Sequence, residues 1–153
     1  MIIGVPKEIK PQENRIGLTP ESVKVLISEG HKVLVENNGG FEAGFDNEQY
    51  IKAGAKIVNS AGDIFNDAEI IVKVKEPQKD EVDMIRENQI VYTYLHLAAA
   101  KELTEGLIKQ KSINIAYETV TDDNGRLPLL APMSAVAGRM SVQAGAHCLE
   151  KNQ

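Results

Sequence analysis

The chain has 153 residues, of which 42% are hydrophobic, 25% charged and 5% aromatic, the make-up of one ordinary folded domain rather than a disordered or fibrous chain. Lys plus Arg number 17 against 22 Asp plus Glu, a net charge of −5 without any basic cluster, which argues against nucleic acid and anionic membranes as partners. The single cysteine, Cys148, has no partner for a disulfide and no metal-ligand spacing around it, and no run approaches the length of a membrane helix, so a cytoplasmic protein without a metal site is expected.

In chain order, short β-branched runs alternate with longer amphipathic ones. The runs at 2–5, 32–36, 56–58, 69–74, 89–94 and 113–117 have the length and composition of buried strands. Between the first two, Thr19 caps a helix with Pro20 in its first turn and Glu21 facing the positive dipole end. Val23, Leu26 and Ile27 form its apolar face, and Gly30 ends it. Asp46 opens a second helix ending at Gly54, and residues 60–65 make a third. Residues 78–86 make a fourth carrying Val82 and Ile85, and 101–110 a fifth with Leu103, Leu107 and Ile108 inward. Asn124-Gly125 marks a turn, and Ser134 is expected to cap a last helix over 135–150. Its positions Ala135, Gly138, Val142, Gly145 and Leu149 form a stripe of mostly small residues suited to close packing.

This alternation predicts an α/β fold: a doubly wound, mainly parallel sheet with helices on both faces, flavodoxin-like or Rossmann-like. Such sheets bind ligands beyond the carboxyl ends of their strands, and several polar residues fall there. Arg15 lies in the loop after the first strand, where a guanidinium can grip a carboxylate through two parallel hydrogen bonds; the plainer expectation is solvation or a pair with Glu13. Lys73 and Lys75 alternate with Val72 and Val74, so both point to one face, either into the crevice or snorkelling at the strand end. His96 sits where the fifth strand gives way to helix and is the natural proton carrier near neutral pH, although a lone histidine there is more often structural; His31 and His147 read as structural. There is no Gly-x-Gly-x-x-Gly turn for a dinucleotide, and Gly39-Gly40 is too short to count.

Five ordered motifs add a resemblance. The opening Ile2-Ile3-Gly4-Val5-Pro6-Lys7-Glu8 with Glu13-Asn14-Arg15 and Leu18-Thr19-Pro20 is similar to the start of the bacterial alanine dehydrogenase family. So are Val72-Lys73-Val74-Lys75-Glu76-Pro77, Thr93-Tyr94-Leu95-His96-Leu97-Ala98, Ala116-Tyr117-Glu118-Thr119-Val120, and Leu129-Leu130-Ala131-Pro132-Met133-Ser134 with Val136-Ala137-Gly138-Arg139-Met140. The wider family includes the α part of nicotinamide nucleotide transhydrogenase, which typically lacks the histidine of Tyr-Leu-His-Leu-Ala; His96 and Lys75 together favour alanine dehydrogenase.

The resemblance implies the substrate domain of an NAD-dependent oxidoreductase of amino-acid catabolism that interconverts L-alanine with pyruvate and ammonia. Arg15 would bind the substrate carboxylate, Lys75 its carboxylate or carbonyl oxygen, and His96 would act as acid and base. Tyr94, Leu130 and Met133 would line the pocket, with Met133 and Ser134 reaching the nicotinamide. It implies a substrate-binding domain over 1–133, and a linker helix over 134–153 leading to an NAD-binding Rossmann domain outside these residues. The isolated chain is therefore expected to be inactive and to self-associate through residues 134–150. Two other readings are a non-catalytic binding or assembly module and a fragment of a transhydrogenase α-type domain.

Overall fold

A computed structural model describes residues 1–151. Six strands, β1 (Ile2–Val5), β2 (Lys32–Glu36), β3 (Lys56–Val58), β4 (Ile70–Val72), β5 (Ile90–Thr93) and β6 (Ile113–Ala116), form one all-parallel sheet in the order β3-β2-β1-β4-β5-β6. This is the Rossmann order, so the expected α/β fold is present and its flavodoxin-like variant is excluded.

The helices start where side chains satisfy their first amides. Thr19 caps α1 (Pro20–Ser28) by accepting from Ser22 N at 3.3 Å. Asp46 and Gln49 exchange both hydrogen bonds of a capping box at α2 (Asn47–Lys52), and Ser60 caps α3 (Ala61–Asp67). Alternate residues of each strand then feed opposite faces of the sheet. Val33 and Val35 join Ile3, Val5, Val23 and Tyr50 under α1 and α2, while Leu34 points the other way to Ile64, Phe65, Ile71, Val91 and Leu107. Gly4 permits the second layer to close, since a Cβ there would lie 2.4 Å from Ile64 Cγ2 and 2.8 Å from Ala68 Cβ.

Four expectations are corrected. The fourth helix is only α4 (Lys79–Val82), because Ile85 turns into the core and Arg86 donates to the carbonyls of Phe65 and Ala68 instead of continuing outward. In α5 (Lys101–Gln110) Leu107 is buried and Leu103 packs on the same core, but Ile108 is 70% exposed, one position off the inward face. The last helix, α6 (Ala131–Cys148), starts three residues before the expected cap: Pro132 occupies its first turn, where no amide is needed, and Ser134 donates its own amide to Leu130 O at 3.1 Å. Lys73 does not snorkel; its ammonium is fully buried among carboxylates.

The chain divides into two compact units, Met1–Ala116 and the residues from Tyr117 onward. The second holds a turn in which Asp122 accepts from the amides of Asn124 and Arg126, with Gly125 at φ +73°, followed by α6, none of whose described residues is buried. No described helix is long and apolar enough to cross a membrane.

Candidate functional site

The chain reverses its direction of travel across the sheet between β1 and β4, the switch point beyond whose strand ends such sheets place their ligands. Lys73 follows β4 with its side chain turned inward, and a buried ammonium must find anions. It finds two: Glu8 from the segment after β1, at 3.1 Å, and Glu81 from α4, at 2.7 Å. All three side chains are at most 2% exposed. The remaining oxygens are also satisfied: Glu8 Oε1 accepts from the amides of Val74 at 2.6 Å and Lys75 at 3.3 Å, and Glu81 Oε2 accepts from Gln78 N at 2.8 Å. Two carboxylates share one cation, so burial drives the Glu81 carboxyl above its ordinary range despite the Lys73 charge and hydrogen bond that oppose it.

The loop carrying Arg15 crosses this cluster closely. A Cβ at Gly17 would lie 2.5 Å from Val72 O and 2.9 Å from its carbonyl carbon, so only glycine lets the loop run over the end of β4. Gly17→Ala is therefore expected to lift the Arg15 loop off β4 and lower the melting temperature by several degrees, on the order of 1–3 kcal/mol as overpacking against backbone costs; calorimetry on the variant, with an unchanged transition as the contrary result, checks it.

Arg15 is held by Glu13 through Nε at 2.7 Å and Nη2 at 2.5 Å, and donates its own amide to the same carboxylate at 2.9 Å. The plainer expectation for Arg15, a pair with Glu13, is thus present. The Arg15 side-chain hydrogen bond, against the opposing effect of burial, holds the Glu13 carboxyl at about 2, below an ordinary 4.5. A depressed carboxyl favours the folded state above its unfolded value, so this contribution is complete above pH 4.5 and is lost as pH falls toward 2. Arg15 is stabilised in its charged form first by that same hydrogen bond, and further by the charges of Glu13 and Glu8 and by Tyr94.

Lys75 is half-buried, and its charge acts on both Glu13 and Glu76. Burial pushes the Glu76 carboxyl up, but the Lys10 hydrogen bond and the charges of Lys10 and Lys75 bring it below its ordinary value. Glu76 pairs with Lys10 through Oε1, while its Oε2 is buried with no hydrogen-bond partner in the described residues. After β5, Tyr94 is buried and its amide donates to Val74 O at 3.2 Å; its ring stacks on the imidazole of His96, centroids 6.4 Å apart and 18° from parallel. His96 is exposed and left-handed, at φ +51° and ψ +38°, a conformation costing a non-glycine residue on the order of 1–3 kcal/mol that clusters at functional sites.

Arg15, Lys75, Tyr94 and His96 thus stand on the segments that follow β1, β4 and β5 at the carboxyl end of the sheet. Leu130, Met133 and Ser134 lie in the second unit, Leu130 preceding α6 and the other two in its first turns, with Leu130 and Met133 half-buried and Ser134 exposed. Sequence reasoning missed Glu8, Glu81 and Thr93, whose only forewarning was a lysine in an apolar run that had to be neutralised from elsewhere. A cavity of about 690 Å³ lies to one side, between α4 and α5 and lined by Val82, Leu103 and Gly106; none of Arg15, Lys75, Tyr94 or His96 lines it. No group of three potential metal ligands occurs among the described residues.

Fourteen residues without a glycine-rich turn separate β1 from α1, and α1 begins with a proline that has no amide to offer.

Residues 4–137 match the family described as "Alanine dehydrogenase/PNT, N-terminal domain". The chain is 50% identical over 153 residues to the alanine dehydrogenase of Methanococcus maripaludis, covering all of this chain and 41% of that protein. It is 54% identical over 152 residues to that of Bacillus subtilis, covering 99% of this chain and 39% of the relative. Among solved structures, an L-alanine dehydrogenase superposes with a TM-score of 0.91 at 54% identity, covering 98% of this chain and 41% of that one. A transhydrogenase from Sinorhizobium meliloti gives 0.76 at 28% identity, covering 81% and 35%. The chain therefore spans about two-fifths of the length of these alanine dehydrogenases.

Proposed function

From the premise that this chain belongs to the alanine dehydrogenase/PNT N-terminal domain family, and to its alanine dehydrogenase side, we propose that it is the substrate-holding part of an NAD-dependent L-alanine dehydrogenase. The observation that supports this is that Arg15, Lys75, Tyr94 and His96 all stand on the segments that follow β1, β4 and β5, with the Tyr94 amide tied to Val74 O and its ring stacked on His96. The transhydrogenase reading is weaker, since that relative shares only 28% identity against 54%.

In this reading the substrate is an α-amino or 2-oxo acid of alanine size. Its carboxylate meets the guanidinium of Arg15, whose plane is already fixed by the two bonds to Glu13. Lys75 donates to the oxygen on the reacting carbon, where negative charge develops as pyruvate forms or is consumed. His96, its ring laid against Tyr94, takes the proton that leaves the substrate ammonium and returns it in the opposite direction. The family resemblance assigns Leu130 and Met133 to the substrate and Met133 and Ser134 to the nicotinamide.

NAD would supply the oxidation; the first unit has no glycine-rich turn to hold its pyrophosphate, and the 153 residues by themselves are expected to form no NADH from alanine. A soluble, cytoplasmic protein fits this reading. So does a homo-oligomer: Val136, Met140, Val142 and Leu149 of the 134–150 segment are all more than half exposed, and sedimentation should show self-association that Val142→Glu removes. A monomeric parent chain would contradict that.

Titrating the chain with pyruvate tests the site. Each charge-assisted hydrogen bond contributes roughly 1.5–3 kcal/mol, so Lys75→Ala should weaken binding about tenfold or more. Arg15→Lys keeps the charge but loses the planar fork and should weaken it as well. Unchanged affinity in both variants would leave Arg15 and Lys75 as structural ion-pair residues and favour an assembly module.

A further inference from the structure

We propose that Glu8, itself out of reach of any substrate in the crevice, is a positioning residue that aims Lys75 by gripping the backbone at its base. The inference rests on the assignment of Lys75 to substrate binding and adds what sets its direction.

Lys75 stands three residues beyond the end of β4, where a chain would ordinarily be free to vary. Here both sides of its backbone are held from separate elements. Its amide, with that of Val74, donates to Glu8 Oε1, and its carbonyl accepts from the hydroxyl of Thr93, a fully buried residue of β5, at 2.8 Å. The Tyr94 amide closes the same segment by donating to Val74 O. The base of the Lys75 side chain is therefore fixed on both sides, and the flexible stem has fewer directions to explore.

Only a carboxylate can do what Glu8 does. One oxygen accepts the two amides, and the other accepts from Lys73 Nζ. Glutamine has one oxygen and one NH2 group, so whichever way its amide turns, a donor faces a donor: either Lys73 or the Val74 amide loses its acceptor. Lys73 in turn stays buried only because Glu81 shares it. The buried triad thereby ties the segment after β1, the end of β4 and the start of α4 to the base of Lys75. Glu8→Gln removes one charge and leaves Lys73 balanced by Glu81; the ammonium, the stronger donor, takes the single glutamine oxygen, so the NH2 group faces the Val74 and Lys75 amides and the loss falls on that backbone.

A double-mutant cycle read by NMR titration of the chain with pyruvate tests this. Glu8→Gln should weaken pyruvate about tenfold, the worth of one misdirected charge-assisted hydrogen bond. In a Lys75→Ala background the same change should alter affinity less than about twofold, because the group it aims is gone. The Val74 and Lys75 amides should exchange faster with solvent in Glu8→Gln while amides of β1 and β2 keep their protection. Equal weakening in both backgrounds, or unchanged exchange at Val74 and Lys75, overturns the proposal and makes Glu8 a purely structural residue. Lys75→Ala that binds pyruvate as the parent does, or a parent chain that binds none, overturns the reading of the site itself, a result distinct from failure of Glu8 alone. Should Glu8→Gln not fold, Glu8→Asp, which keeps both oxygens but retracts them by one methylene, takes its place in the same cycle with the same outcomes.

Discussion

Replacing His96 in a full-length alanine dehydrogenase that carries this chain as its N-terminal part, the protein the proposed function describes, is expected to slow alanine oxidation by about 10²–10⁴-fold, the usual worth of a positioned acid and base. Two substitutions separate chemistry from conformation. His96→Ala removes the imidazole and also puts a residue with no local hydrogen bond at φ +51°. His96→Asn removes it while keeping a residue that tolerates the left-handed region. If proton transfer is what matters, both lose turnover alike and the asparagine variant keeps the stability of the parent. If the turn after Tyr94 is what matters, asparagine should rescue activity. Steady-state rates from pH 7 to 10 decide, and near-normal turnover in the asparagine variant would remove His96 from the proton-transfer step.

The largest effect on stability is expected at Lys73. Lys73→Met fits the same volume but leaves Glu8 and Glu81 buried with no cation between them. Breaking a buried ion pair in this way costs about 3–5 kcal/mol, a large part of the total stability of a domain this size. The deficit should shrink as pH falls, since a proton can take the place of the lysine between the two carboxylates, and grow above neutrality. The sign agrees with the parent, in which burial already raises the Glu81 carboxyl: a raised carboxyl favours the folded state at low pH and costs it stability once pH passes the folded value. Denaturant titration at pH 5 and pH 8 reads both parts. Equal midpoints for parent and variant at pH 8 would show that the triad is not a net buried charge.

Much of this protein is legible one segment at a time. The β-branched runs become strands with ends shifted by at most two residues, because such side chains fit a pleated, two-sided core wherever they occur. Thr19, Asp46 and Ser60 start helices where they stand, because a cap acts over three residues and needs nothing distant. Arg15, Lys75 and His96 stand out for a related reason: charge next to apolar runs is visible without a fold, and their motifs carry a family resemblance that the comparisons share.

What tertiary structure decided is everything that depends on pairing across the chain. Strand order is one case, since nothing within β1 or β4 says that they lie side by side, and only that adjacency brings the segment after β1 onto the end of β4. The fate of Lys73 is another: its partners lie 65 and 8 residues away, and its burial is met by anions that arrive from two other segments of the chain. Gly17 and Thr93 look unremarkable in sequence, yet one admits the Arg15 loop and the other holds the Lys75 carbonyl. Local composition determines which elements form, because propensity and capping act over a few residues. The surroundings of each charge are settled only by packing, because the cost of burying it is met by groups that the fold, and not the neighbouring sequence, supplies.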